Sequence, residues 1–106
     1  MPKFLIKANY VGEGIVGLQK EGGTARVKVV EQLCQSVGGT LEGAWYAFGD
    51  HDLYCIVDMP DVESVAAVSL TTNASGKVTV ETVPLLSPEQ IDAAAKLTPA
   101  YRAPGG

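Results

Sequence analysis

The only histidine of the chain stands between two carboxylates, in Asp50-His51-Asp52. Imidazole can act as acid or base near neutral pH, and a neighbouring carboxylate can fix its tautomer. The triplet therefore predicts a general base, or one ligand of a metal, at the mouth of a pocket. The competing expectation is a solvated hairpin turn whose aspartates bond to local backbone. Consecutive strand residues point to opposite faces, so all three side chains converge on one point only if the turn is distorted. One histidine, with no second anywhere in the chain, is a poor donor set for a transition metal, and no metal site is assigned.

Tyr10, Trp45, Tyr46 and Tyr54 add aromatic area with polar tips on neighbouring segments. They predict the wall of a hydrophobic pocket between sheet and helices, where a hydroxyl or indole N–H would orient a small ligand. Packing in core and interface is the alternative use of the same residues. Arg26, at the start of a helix, could clamp a carboxylate or enolate with help from the helix N-terminus; otherwise it is a surface arginine. The ligand-binding set is thus Tyr10, Trp45, Tyr54, Arg26, Asp50 and Asp52, with His51 as the catalytic candidate. Cys34 has no histidine near it in sequence, and neither Cys34 nor Cys55 belongs to a CxxC pair, so both read as small buried hydrophobes.

The glycines of the segment 12–23 match neither GxGxxG nor GxxxxGK[ST], so no phosphate cradle is read there and no cofactor is assigned. The eight basic residues are scattered and the net charge is -4, so the footprint of a nucleic-acid binder is missing. Apolar runs fall far short of the ~20 residues that cross a bilayer. The opening residues alternate like a strand and lack the apolar core of a signal peptide. These features predict a cytoplasmic protein that binds neither membrane nor nucleic acid.

The elements that must position these residues follow from hydropathy period. Phe4 to Val11 alternates with period two and predicts a strand. Gly12 to Gly23 predicts a flexible connection holding at most a short turn of helix around Ile15 to Leu18. Thr24 can cap a helix running to about Val37, stopped by Gly38-Gly39. Thr40–Phe48 and Asp52–Met59 predict two strands joined by a hairpin at Gly49-Asp50-His51. Asp61 caps a second helix that ends near Asn73. Lys77–Leu85 predicts the fourth strand. Ser87-Pro88-Glu89-Gln90 is a capping box with proline at the first helical position, starting a short helix through Leu97. The domain therefore spans 1–106, with a core at 1–86, a C-terminal helix at 87–97 and an extended tail at 98–106.

Two right-handed strand–helix–strand units, interleaved, give an α+β fold of ferredoxin-like βαββαβ type. Its four-stranded antiparallel sheet has both helices on one face. In the central hairpin, strict alternation puts Ala44, Tyr46, Phe48, Tyr54 and Ile56 on one face. Leu41, Gly43, Trp45, Ala47, Leu53, Cys55, Val57 and Met59 fall on the other. Both sets are largely apolar, while the helices can shield one face only. A two-fold homodimer through the second face follows as an expectation. Burying about 800 Å² per partner at about 25 cal/mol per Å² is worth on the order of 20 kcal/mol before association costs. Whether such dimers stack into a higher homo-oligomer is left open.

The stretch from Trp45 to Asp61, WYAFGDHDLYCIVDMPD, resembles the signature region of the GYD domain family. Val78 to Leu86, the following Ser87-Pro88-Glu89, the opening strand and the Glu13-Gly14-Ile15 turn resemble it too, so the similarity covers nearly the whole chain. The resemblance implies a dimeric α/β barrel, in which two sheets close around a shared interior. That wider group holds cofactor-free monooxygenases, isomerases, haem enzymes and plain ligand binders. The motif that names the family has tyrosine where this chain has His51, so a role of that tyrosine does not carry over. The leading expectation is a dimeric barrel that binds a small organic molecule. The alternatives are a cofactor-free monooxygenase or isomerase with His51 as base, and a structural or regulatory homo-oligomer without chemistry.

Overall fold

A glycine with positive φ at each of four junctions (Gly12, Gly22, Gly38 and Gly76) and two side-chain caps punctuate the chain, and the elements fall between them. The computed structural model describes residues 2–106. Strand β1 (Lys3–Tyr10) leads into helices α1 (Glu13–Glu21) and α2 (Gly23–Ser36). Strands β2 (Thr40–Tyr46) and β3 (Leu53–Asp58) follow, then helix α3 (Val62–Ala74), strand β4 (Val78–Leu85) and helix α4 (Pro88–Ala95). The strands form one open antiparallel sheet in the order β2-β3-β1-β4. That order, with a crossover after each of β1 and β3, is compatible with the ferredoxin-like arrangement.

Helix α1 corrects the expectation of a flexible connection over 12–23. Gly12 (φ 53) and Gly22 (φ 89) bracket it in conformations that glycine adopts without steric cost. Glu13 in its first turn and Lys20 in its last complement the helix dipole. Gly14 is buried against the Lys77 backbone, where a Cβ would collide with the carbonyl. These three glycines therefore punctuate and seat a helix. Thr24 does not cap α2, because the chain enters from Gly22 without a side-chain cap. The later signals hold. Gly38 (φ 83) follows the end of α2, and the Gly39 N–H donates to the Cys34 carbonyl at 2.8 Å. Asp61 accepts from the Ser64 N–H at 2.7 Å. Ser87 and Gln90 close the capping box of α4.

The buried core lies on one side of the sheet. Phe4, Ile6, Ala8 and Tyr10 of β1 join Leu53, Cys55, Val57 and, just beyond β3, Met59. Cys34 of α2 and Val65 and Val68 of α3 cover them. Side chains of the opposite face, such as Leu5, Tyr54 and Ile56, stay partly exposed.

The faces of β2 differ from strict alternation. Leu41 pairs with Val57 but Gly43 pairs with Ile56, so Glu42 is an extra residue without a partner. This bulge reverses the alternation beyond it. Ala44 and Tyr46 then pair with Cys55 and Leu53 on the helix side, and Trp45 pairs with Tyr54 on the open side. The Trp45 ring lies over Gly43, where an added Cβ would approach it to 2.5 Å. Phe48 lies beyond the end of β2 and is fully exposed. Among the described residues, no helix is long and apolar enough to cross a membrane.

Candidate functional site

Tyr10 ends the central strand and Arg26 sits in the first turn of α2, and the fold brings both to one cleft. The cleft, about 260 Å³, lies between the sheet, α2 and α3. Its walls include Ile6, Ala8, Val30, Leu33, Leu53, Cys55, Val68, Val78 and Val80. The polar groups on its lining are Tyr10, Arg26, Thr71, Thr72 and Ser75. Two of the hydroxyls are turned onto helix backbone: Thr72 donates to the Val68 carbonyl at 2.7 Å and Ser75 to the Thr72 carbonyl at 2.7 Å. Arg26 Nη1 pairs with Glu21 Oε1 at 3.6 Å, longer than a hydrogen bond, so another anion at the cleft would compete with this carboxylate for the guanidinium.

Tyr46 belongs to the same corner. Its hydroxyl donates to the Gly23 carbonyl at 3.0 Å, tying β2 to the first residue of α2. Burial, followed by the neighbouring Tyr10 phenol, pushes its hydroxyl up to about 12. Asp52 supports Tyr10 from the other side. Its Oδ2 accepts from the Tyr10 backbone N–H at 2.9 Å, and its own N–H donates to the Ala8 carbonyl at 2.9 Å. Asp52 thus braces the end of β1 through backbone contacts. Cys55 lines the cleft with its thiol pushed up to about 11 by burial, and Cys34 is pushed up for the same reason. Neither is a ready thiolate.

His51 lies away from this cleft, at the rim of the open face. Its Nδ1 is 3.0 Å from Asn9 Nδ2, and its Nε2 is 3.3 Å from Glu81 Oε2. Lys7 Nζ reaches the same Glu81 oxygen at 3.3 Å. Tyr54 meets the imidazole edge-on, with ring centroids 5.8 Å apart. A neutral imidazole has one donor and one acceptor nitrogen. Asn9 and Glu81 thus engage one ring nitrogen each. The arrangement holds the ring in place and links the loop before β3 to β1 and β4.

The residues singled out from sequence therefore divide. Tyr10 and Arg26 share the cleft, and Asp52 braces it. His51, Tyr54 and Trp45 occupy the open face, with Trp45 61 % exposed. Asp50 is exposed in the loop between β2 and β3. Sequence reasoning did not find Lys7, Asn9 and Glu81 as partners of His51. Lys7 and Asn9 alternate along β1, and Lys7 pairs directly with Glu81 across β1 and β4, so that strand register is the signal that could have revealed them. Among the described residues, no three His, Cys, Asp or Glu side chains gather so as to hold a metal ion.

Fold and cleft together define an open antiparallel α/β domain with an apolar recess under its helices. The GYD domain model matches residues 4–95, and the chain belongs to the GYD domain family. Comparison with curated proteins and with solved structures gives no match.

Proposed function

We propose that this GYD-domain protein is a homodimer whose subunits bind a small, mostly apolar organic acid in the cleft between sheet and helices. The observation that carries the reading is that Arg26 and Tyr10 both line a largely apolar recess of about 260 Å³. A few placed polar groups in an apolar concavity are the usual make-up of a small-molecule site. At about 30 Å³ for each water-sized unit, the recess holds roughly nine such units, which suits an aromatic or short branched carboxylate. Arg26 would take the anionic oxygens two at a time, and the Tyr10 ring would flank the apolar body.

The dimer forms through the uncovered sheet face, giving a ferredoxin-like subunit within a dimeric α/β barrel. Its support is the partly exposed Leu5, Ile56 and Val83, with Trp45 at their margin. Two buried free cysteines suit the reducing cytoplasm in which we place the protein. The enzymatic alternative, with His51 as base, draws less on the geometry, because Asn9 and Glu81 engage both ring nitrogens.

Titration of the labelled protein with salicylate and 2-naphthoate, followed by amide NMR shifts, tests the site. Saturable shifts at Tyr10, Leu33 and Val68 are expected, with a loss of at least about tenfold in affinity, ~1.4 kcal/mol, for Arg26→Ala. Shifts that never saturate up to millimolar acid, or that leave these residues untouched, would refute the assignment.

A further inference from the structure

Every residue from 86 to 106 is exposed, although the segment contains a well-capped helix. Leu86, Ile91, Leu97 and Tyr101 project from it with half or more of their surface in water. Helix α4 has only eight residues and buries none of them against its own subunit. A helix this short is marginal in water without tertiary packing. The molecule is correspondingly drawn out: its radius of gyration is 16.8 Å and its extents are 55 × 33 × 23 Å, against about 13 Å for a compact chain of this length. The C-terminal segment is an arm that leaves the body where β4 ends.

The same chain carries a surface that lacks cover. Leu5, Ile56 and Val83 lie on the open face, bordered by Trp45. Four strands about 4.8 Å apart and about 24 Å long project to roughly 450 Å². Side-chain relief raises the accessible area, but a contact of this footprint is small against the about 800 Å² per partner of a standard interface. A sheet-to-sheet dimer therefore needs contact from elsewhere in the chain, and the arm is the apolar segment free to supply it.

We propose that the C-terminal arm, residues 86–106, crosses onto a second copy of this chain and packs Ile91 and Leu97 against the margin of its open sheet face, beside Trp45. The inference rests on the homodimer proposed above. By two-fold symmetry each arm clasps the other subunit, so the added contact is made twice. The clasp also provides the packing that an eight-residue helix lacks on its own body.

The test uses the full chain with Ile91→Asp and Leu97→Asp together. Both positions are exposed in the subunit, and circular dichroism checks that the fold is kept. Sedimentation across concentration measures the dimer, and the emission of Trp45, the single tryptophan, reports its burial. The expected result is a wild-type dimer and a variant whose dimer dissociation constant is raised at least about tenfold, with Trp45 emission shifted to the red at matched concentration. Wild-type dimers with an unchanged constant in the variant would overturn the arm and leave the sheet-face dimer standing. A wild-type chain that is monomeric at every concentration would overturn both. Benzoylphenylalanine in place of Leu97, in a mixture of isotopically light and heavy chains, gives a second readout. Light–heavy cross-links to β2 or β3 support the clasp, and cross-links confined to single chains overturn it.

Discussion

Replacing Asp52 with alanine removes one carboxylate and should loosen the corner on which the cleft depends. In the folded protein Asp52 Oδ2 accepts from the Tyr10 N–H at 2.9 Å, while the Asp52 backbone bonds to Ala8 and to Ala47, both at 2.9 Å. The backbone bonds survive truncation; the side-chain bond does not. The Tyr10 N–H then loses a charge-assisted partner in a half-buried setting, at a cost of about 1–3 kcal/mol. Water can reach part of this corner, which places the expected value in the lower half, about 1–2 kcal/mol. For a domain near 100 residues, each kcal/mol moves the midpoint by about 4–8 °C, so Tm should fall by roughly 5–15 °C. Asp52→Asn keeps an acceptor at the same place and should lose no more than about half as much. Thermal unfolding followed by circular dichroism gives the first number. Hydrogen exchange at the Tyr10 amide gives a local one, expected to quicken in Asp52→Ala and much less in Asp52→Asn. An Asp52→Ala protein that melts within about 2 °C of wild type, with Tyr10 exchange unchanged, would show that the carboxylate does not brace β1.

Two further outcomes follow from packing and titration. Gly14→Ala should cost about 1–3 kcal/mol in denaturant unfolding despite the helix propensity it gains, because its methyl must displace the Lys77 carbonyl that accepts from the Val11 N–H. Gly17→Ala, whose Cβ would meet only Glu21 Oε2 at 3.7 Å, is the control and should be stabilising by up to about 1 kcal/mol. Tyr46 holds its proton more tightly folded than unfolded, so its contribution is complete below pH 10 and drains away as pH rises from 10.0 towards about 12. Alkaline unfolding should therefore be less steep for Tyr46→Phe than for wild type in that window; parallel curves would contradict the partial shielding of this hydroxyl.

The features legible in the sequence are those set within a few residues. Asp61 and the Ser87–Gln90 box cap their helices as their spacing implies, since a cap is a local contact. The four strands follow from period-two hydropathy. Helix α1 was hidden by its own glycines: Gly12 and Gly22 bound it, and Gly14 fits it against Lys77, a neighbour known only after β4 is placed beside β1. The same limit governs the site. Tyr10 and Arg26 are legible as chemical types, but Tyr46 reaches the Gly23 carbonyl only because of the bulge at Glu42, and strict alternation from Leu41 points Trp45 inward instead. In the sequence His51 has only Asp50 and Asp52 beside it. Its contacts, Asn9 and Glu81, are neighbours in register.

Glu42 also determines which length changes β2 can absorb. It contacts Lys3 on the open side and has no place in the ladder. A chain one residue shorter at this point would run through β2 as a regular strand with indole and phenol still on their present sides. A chain one residue longer would need a second irregularity, or would exchange the two rings and put Trp45 where Tyr46 now holds Gly23. Related sequences that keep this corner should therefore vary here by loss more readily than by gain.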